Sequence, residues 1–190
     1  MSEPAGKRLK LTLPVCTAHR TLTGTRVKHN FPLVVEESLC GVITVLMAVA
    51  YRLQALAKLF ERDDIALPRI AAFFHQEAEQ EQKEAESLLE YLRERGGQYC
   101  NKDIQKPGCE AVGSVLQALE LMLAQWKEVA RILTELCQQS KQSGDPHTAS
   151  VVKKRFVTPA IGKIEVVGCK DETGFGEYLI DQLQKELTNL

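Results

Sequence analysis

The chain has 190 residues, 44% hydrophobic and 26% charged, with a net charge of −1. That is enough for one domain, or one domain with a tail, around a sizeable core. Twelve Gly, seven Pro and an even acid–base balance exclude collagen-like and Pro-rich classes and argue against a basic nucleic-acid binder.

The first 28 residues hold six basic side chains (Lys7, Arg8, Lys10, Arg20, Arg26, Lys28) and one acidic, Glu3. They show no helical period, and residues 1–28 read as a disordered basic tail ahead of a folded body at 29–190. An apolar h-region and a small-residue cleavage site are missing, so no signal peptide is expected. The stretch Pro4-Ala5-Gly6-Lys7-Arg8-Leu9-Lys10 fits a basic nuclear-import signal, with an import receptor as partner through Lys7, Arg8 and Lys10. The expected location is the cytoplasm, with the nucleus open through this motif. A mitochondrial presequence is disfavoured by Glu3, Pro4 and Pro14.

The six cysteines, Cys16, Cys40, Cys100, Cys109, Cys137 and Cys169, form no CxxC pair. Reduced thiols of an intracellular protein are expected, and no zinc site.

In chain order, Pro32 opens a first segment, Leu33 to Phe60. Its longest apolar run, Leu39 to Tyr51, covers 13 residues, short of the roughly 18–20 needed to span a bilayer. A buried core helix is expected and no membrane partner. After Glu61-Arg62-Asp63-Asp64, Pro68 starts a second segment that stops at Gly96-Gly97, a C-cap signal. There Phe74, Ala78, Glu81, Ala85, Leu88 and Leu92 recur at three to four residues, one helical face. A third segment, about Glu110 to Gln139, carries Val115, Leu119, Leu123, Trp126, Ala130, Leu133 and Cys137 in the same way, and ends at Ser143-Gly144-Asp145-Pro146. A fourth runs from about His147 to Val167, and a short fifth from Glu177 to Leu187. Period two is absent, so an all-α, four-helix bundle with an appended helix is expected. At 1.5 Å per residue, helices of 28 residues are roughly 42 Å long.

Glu77, Glu81 and Glu84 share the core face of the second segment. Inward carboxylates are costly unless paired or bound to a cation. Di-iron bundles use Glu-x-x-His pairs at such positions; here the pair reads Glu81-Gln82-Lys83-Glu84. A solvated acidic face is the other reading of this helix.

From Asn30 to Leu179 the chain resembles the ferritin family, above all animal heavy and light chains. The strings that carry the resemblance are Phe60-Glu61-Arg62-Asp63-Asp64-Ile65-Ala66-Leu67, Arg95-Gly96-Gly97, Asp103-Ile104-Gln105-Lys106-Pro107, Asp145-Pro146-His147 and Gly176-Glu177-Tyr178-Leu179. The resemblance implies a ferritin-like up-down four-helix bundle with a long crossover and a short fifth helix. It also implies self-association as a dimer and as a 24-subunit iron-storing shell, with heavy and light chains as possible partners.

By constant spacing, the family's first-helix ligand Glu falls at Leu46 and a site Tyr at Leu53. The second-helix Glu is Glu81, and its His partner falls at Glu84. The third-helix Glu falls at Trp126 and a fourth-helix Gln at Ala160. The resemblance therefore implies an iron-storage subunit without ferroxidase activity, with no catalytic residue. Iron would bind weakly or not at all at the residual pair Glu81 and Glu84. The alternative is a metal-free interaction protein built on the same bundle. Of the inner-surface glutamates of light chains, Glu79 and Glu86 are the remnants. Ser150 and Lys153 fall where the family's three-fold channel has acids, followed by Lys154 and Arg155. Pro159 is expected to kink the fourth helix, and the link from Gly168 to Gly174 is shorter than the family's.

Overall fold

The computed structural model describes residues 28–100, 103–104, 108 and 111–168. The tail up to residue 27, the fifth segment and the link before it lie outside these. The described residues form helices and no strand: α1 (Leu33–Phe60), α2 (Pro68–Glu94), α3 (Val115–Gln142), α4 (Pro146–Val152), a π-turn (Lys153–Val157) and α5 (Thr158–Gly168). The fourth segment of the sequence is thus a single helical run of α4, π-turn and α5. The fold is the all-α ferritin-like bundle expected from the sequence. α1 packs along α2, α3 along α4 and α5, and α1 also meets α3. Short turns join α1 to α2 and α3 to α4, so each pair is an antiparallel hairpin, and the long crossover runs between the pairs.

The ends are set by local chemistry. Pro68 and Pro146 sit in first turns, where a missing N–H costs nothing. Ser114 caps α3 by accepting from the Gln117 amide at 3.2 Å, so α3 starts at Val115 rather than near Glu110. α2 ends in a Schellman motif: Gly96 adopts φ 73°, and Gly97 N donates to Leu92 O and Gly96 N to Arg93 O, both at 2.9 Å. A side chain at Gly97 would press on Leu92 and Phe31, 2.6 and 2.9 Å from an added Cβ. α3 ends in the same way, with Gly144 at φ 79° and Asp145 N donating to Ser140 O at 2.8 Å.

The core is aliphatic, with Leu39, Ile43, Leu46, Leu53 and Leu56 of α1, Phe74, Leu88 and Leu92 of α2, and Met122, Ile132, Leu133 and Leu136 of α3 fully buried. Each such side chain contributes roughly 1.5–3 kcal/mol of burial. Phe74 stacks on Phe60 at 5.6 Å and meets Phe73 edge-on at 5.4 Å. α1 is long and apolar enough to cross a membrane, yet most of that stretch is buried against the other helices.

At the end of the bundle where α2 stops, Arg95 ties three elements together. Nη1 donates to Tyr91 Oη at 2.8 Å, Thr148 Oγ1 at 2.8 Å and Asp145 Oδ1 at 3.2 Å. Nη2 donates to Asn30 O at 3.0 Å, and the guanidinium lies over Phe31. Asp145 is also the N-cap of α4, accepting from the Thr148 amide at 3.1 Å.

Two expectations change. Pro159 does not stand in a continuous α-helix: a π-turn, Lys153–Val157, lies just upstream of it. Its ring removes an N–H and crowds the carbonyl four residues before it, and the π-turn just upstream takes up the strain. Lys153 O accepts both the Thr158 amide and Thr158 Oγ1, the latter at 3.1 Å. Nor are all six cysteines reduced. Cys40 and Cys137 are buried, but Cys100 is disulfide-bonded. Such a bond depends on two Cα atoms lying within about 7 Å, a distance that sequence separation does not give.

Candidate functional site

The glutamates of α2 are spaced i, i+4, i+7, so Glu77, Glu81 and Glu84 lie along one stripe. That stripe faces α5. Glu81 is 2% exposed and Glu77 nearly buried. Between them stands a cation from the chain itself. Lys163 of α5 donates from Nζ to Glu81 Oε1 at 3.0 Å and pairs with Glu77 Oε2 at 3.2 Å. The same ammonium lies 4.3 Å from the centre of the Trp126 ring, on α3, a cation–π contact.

These residues border a cavity of about 290 Å³. Glu81, Glu84, Gln80 and Lys163 make its polar side; Trp126, Val129, Pro159 and Ala160 make its apolar side. Two buried polar atoms on its walls have no hydrogen-bond partner, Glu81 Oε2 and Trp126 Nε1.

The electrostatics follow from crowding. Burial pushes the Glu84 carboxyl above its ordinary range, and the charge of Glu81 adds to the rise. Burial works against the Lys163 ammonium, but Glu81 and Glu77 outweigh it and hold its pKa above the usual lysine range. The lysine stays charged.

Of the positions marked by the resemblance, Glu81, Glu84, Trp126 and Ala160 converge on this cavity. Leu46 and Leu53 do not line it; both are fully buried in the aliphatic core. Among the described residues no group of three or more His, Cys, Asp or Glu side chains is placed to hold a metal ion. Lys163 was not singled out from the sequence. The signal was there: α5 reads Thr158-Pro159-Ala160-Ile161-Gly162-Lys163-Ile164, and a lone lysine among apolar neighbours needs a partner.

The other marked side chains are elsewhere. Glu79 is exposed and paired with Lys83 at 2.8 Å. Glu86 is exposed and accepts from Gln82 Nε2 at 3.1 Å. His75 contacts Glu61 at 2.7 Å. Lys153, Lys154 and Arg155 form an exposed basic run on the π-turn. Lys7, Arg8 and Lys10 lie outside the described residues.

A family model for the ferritin-like domain matches residues 37–161. The chain belongs to the ferritin family. It is 26% identical over 167 residues to the ferritin middle subunit of Aquarana catesbeiana, covering 83% of this chain and 95% of that one. It is 27% identical over 168 residues to the ferritin light chain of Bos taurus, covering 84% and 96%, and 29% identical over 144 residues to ferritin light chain 1 of Rattus norvegicus, covering 76% and 79%. Within this ferritin bundle, the place between α2, α3 and α5 where the carboxylates gather is filled by a lysine ammonium.

Proposed function

We propose that the chain is a ferritin-type iron-storage subunit that does not oxidise iron, and that it assembles with its own copies and with ferroxidase-active heavy chains. The family and the light- and middle-chain relatives support the storage half. The other half rests on one observation: the Lys163 ammonium occupies the cation position beside Glu77 and Glu81.

Oxidising Fe(II) in pairs requires two metals held close together on several oxygen or nitrogen donors, with open positions. Leu46 and Leu53 supply no donor, Ala160 has no functional group, and Trp126 presents an aromatic ring. Of the two remaining carboxylates, Glu81 already holds a cation tethered to the chain. A second cation beside it meets repulsion from the ammonium, about 4 kcal/mol for unit charges 4 Å apart at an effective dielectric of 20. The residues present do not fit a di-iron centre. Iron is therefore cargo here, to be oxidised on neighbouring subunits.

The test has two parts. Fe(II) is added to purified protein in air and ferric absorbance followed, expected at the rate of protein-free buffer; fast oxidation overturns the silent-subunit reading. Native mass is then measured alone and after co-expression with an active heavy chain. A shell of 24 copies has a mass near 24 × 21.2, or about 509 kDa. Particles of that class in either preparation uphold storage. A dimer or monomer in both supports a second reading, a metal-free binding module, which the internal ion pair equally favours.

A further inference from the structure

We propose that Thr158 is a phosphorylation site for a proline-directed kinase. Thr158-Pro159 is the single Ser/Thr-Pro pair in the 190 residues. Both residues are exposed, where the π-turn passes into α5. A kinase that selects proline after the acceptor offers no partner for the N–H that other residues bring there. Proline brings none.

The surroundings suit an added negative charge. Lys153, Lys154 and Arg155 are all exposed, and among the described residues none of the three is ion-paired. From Pro146 to Ile164 the sequence has no Asp or Glu. Arg155 and Lys154 lie three and four residues before Thr158, within about one helical turn. A threonine phosphate carries about 1.5–2 negative charges at pH 7 and pairs with such cations through charge-assisted hydrogen bonds. It takes the basic run from three positive charges to about one.

A kinase takes its substrate in extended form, so the run has to open locally. The backbone is already short of a rung here. The Thr158 amide reaches back five residues to Lys153 O, and Pro159 has no N–H for the carbonyl that follows. Opening gives up an exposed bond from Thr158 Oγ1 to Lys153 O, 3.1 Å long. It returns Thr158 to the extended backbone that a residue before proline prefers. Phe156 and Val157, both buried, draw the run back afterwards. In the transfer, the γ-phosphorus of ATP bonds to Thr158 Oγ1 as its bond to the ADP oxygen breaks. The hydroxyl proton passes to the kinase's catalytic aspartate.

The inference needs neither iron nor a shell. The experiment incubates the phosphatase-treated 190-residue chain with Mg-ATP and, in parallel, a mitogen-activated and a cyclin-dependent kinase. Tandem mass spectrometry maps the phosphate. Phosphate on Thr158 of the folded chain is expected with at least one kinase, and none at that position in Thr158→Val. Transfer to Pro159→Ala is expected to be about tenfold slower. Circular dichroism checks that both variants are folded. By phosphorus NMR, the phosphothreonine is expected to titrate at lower pH than in the Lys154→Gln/Arg155→Gln double variant. The proposal falls if neither kinase modifies Thr158, or if only heat-unfolded chain is modified. It also falls if Pro159→Ala is modified as fast as the wild type, or if the two phosphate titrations coincide.

Discussion

The ammonium of Lys163 and the indole of Trp126 are stacked across two helices, 4.3 Å from nitrogen to ring centre. Neither side chain is unusual alone. Together with Glu77 and Glu81 they turn an acidic stripe into a closed internal ion pair that ties α5 to α2 and α3.

Removing the lysine should expose its role as a tethered cation. In Lys163→Met, Glu81 is left buried and charged without a partner, a loss of about 3 kcal/mol, or roughly 6–12 °C in Tm for a chain of this size. Millimolar Mn²⁺ should recover part of that loss in the variant and leave the wild type unmoved. Thermal melts with and without the ion check this; equal melting of variant and wild type would show that the pair contributes nothing.

Restoring a ferroxidase centre should require the same lysine to go. Leu46→Glu, Trp126→Glu and Glu84→His together replace the donors the family uses, but Lys163 would still hold Glu81. Iron oxidation by this triple variant is expected to stay at the buffer rate. Adding Lys163→Ala should raise it, read as ferric absorbance after Fe(II) addition.

The pH dependence of Glu84 has a definite sign. Its carboxyl is raised in the folded state, by burial first and by Glu81 second, so the folded chain holds that proton more tightly than the unfolded one. Stability from this group falls as pH climbs from 4.5 through the raised value. Glu84→Gln removes the slope, and Tm measured between about pH 4.5 and 8 should fall less with rising pH in the variant than in the wild type.

Asp145 runs the other way. Burial raises it, but the Thr148 hydroxyl and amide and the Arg95 guanidinium prevail and hold it below 3.8. Its contribution is present above that value and lost as pH falls through the lower folded pKa. Arg95→Ala strips Asp145, Tyr91 and Thr148 of a shared donor at a nearly buried site, at a cost of about 3 kcal/mol. Lower Tm at neutral pH and acid unfolding at a higher pH than in the wild type are expected, followed by circular dichroism.

Much of the fold was legible because it is written in local signals. Gly96-Gly97, Pro68 and Gly144 mark helix ends by backbone conformation, and the face from Phe74 to Leu92 follows from spacing alone. The start of α3 was misjudged by several residues because Ser114, its cap, follows three residues that have no apolar period. Pro159 announces a lost hydrogen bond, but not that a π-turn one residue upstream of Thr158 absorbs it. Half of the cavity was readable as positions of the family's site, with Glu81 kept and Glu84, Trp126 and Ala160 replaced. Lys163 was not, since its partners Glu77 and Glu81 lie on another helix some eighty residues away, and only folding brings them within 3.2 Å.

The most apolar helix of the bundle is also the earliest one translated. α1 ends at Phe60 and α3, against which it packs, begins at Val115. At 5–20 residues per second, synthesis leaves α1 without that neighbour for roughly three to ten seconds. During that interval α2 is the shelter that the described residues offer it, and a nascent chain halted before α2 emerges presents a stretch that passes for a membrane segment. The hairpin of α1 and α2 is thus a safeguard of biogenesis. Substitutions that loosen it, at Phe60 or Phe74 for example, should lower the yield of soluble protein more than they lower the melting temperature of the molecules that do fold.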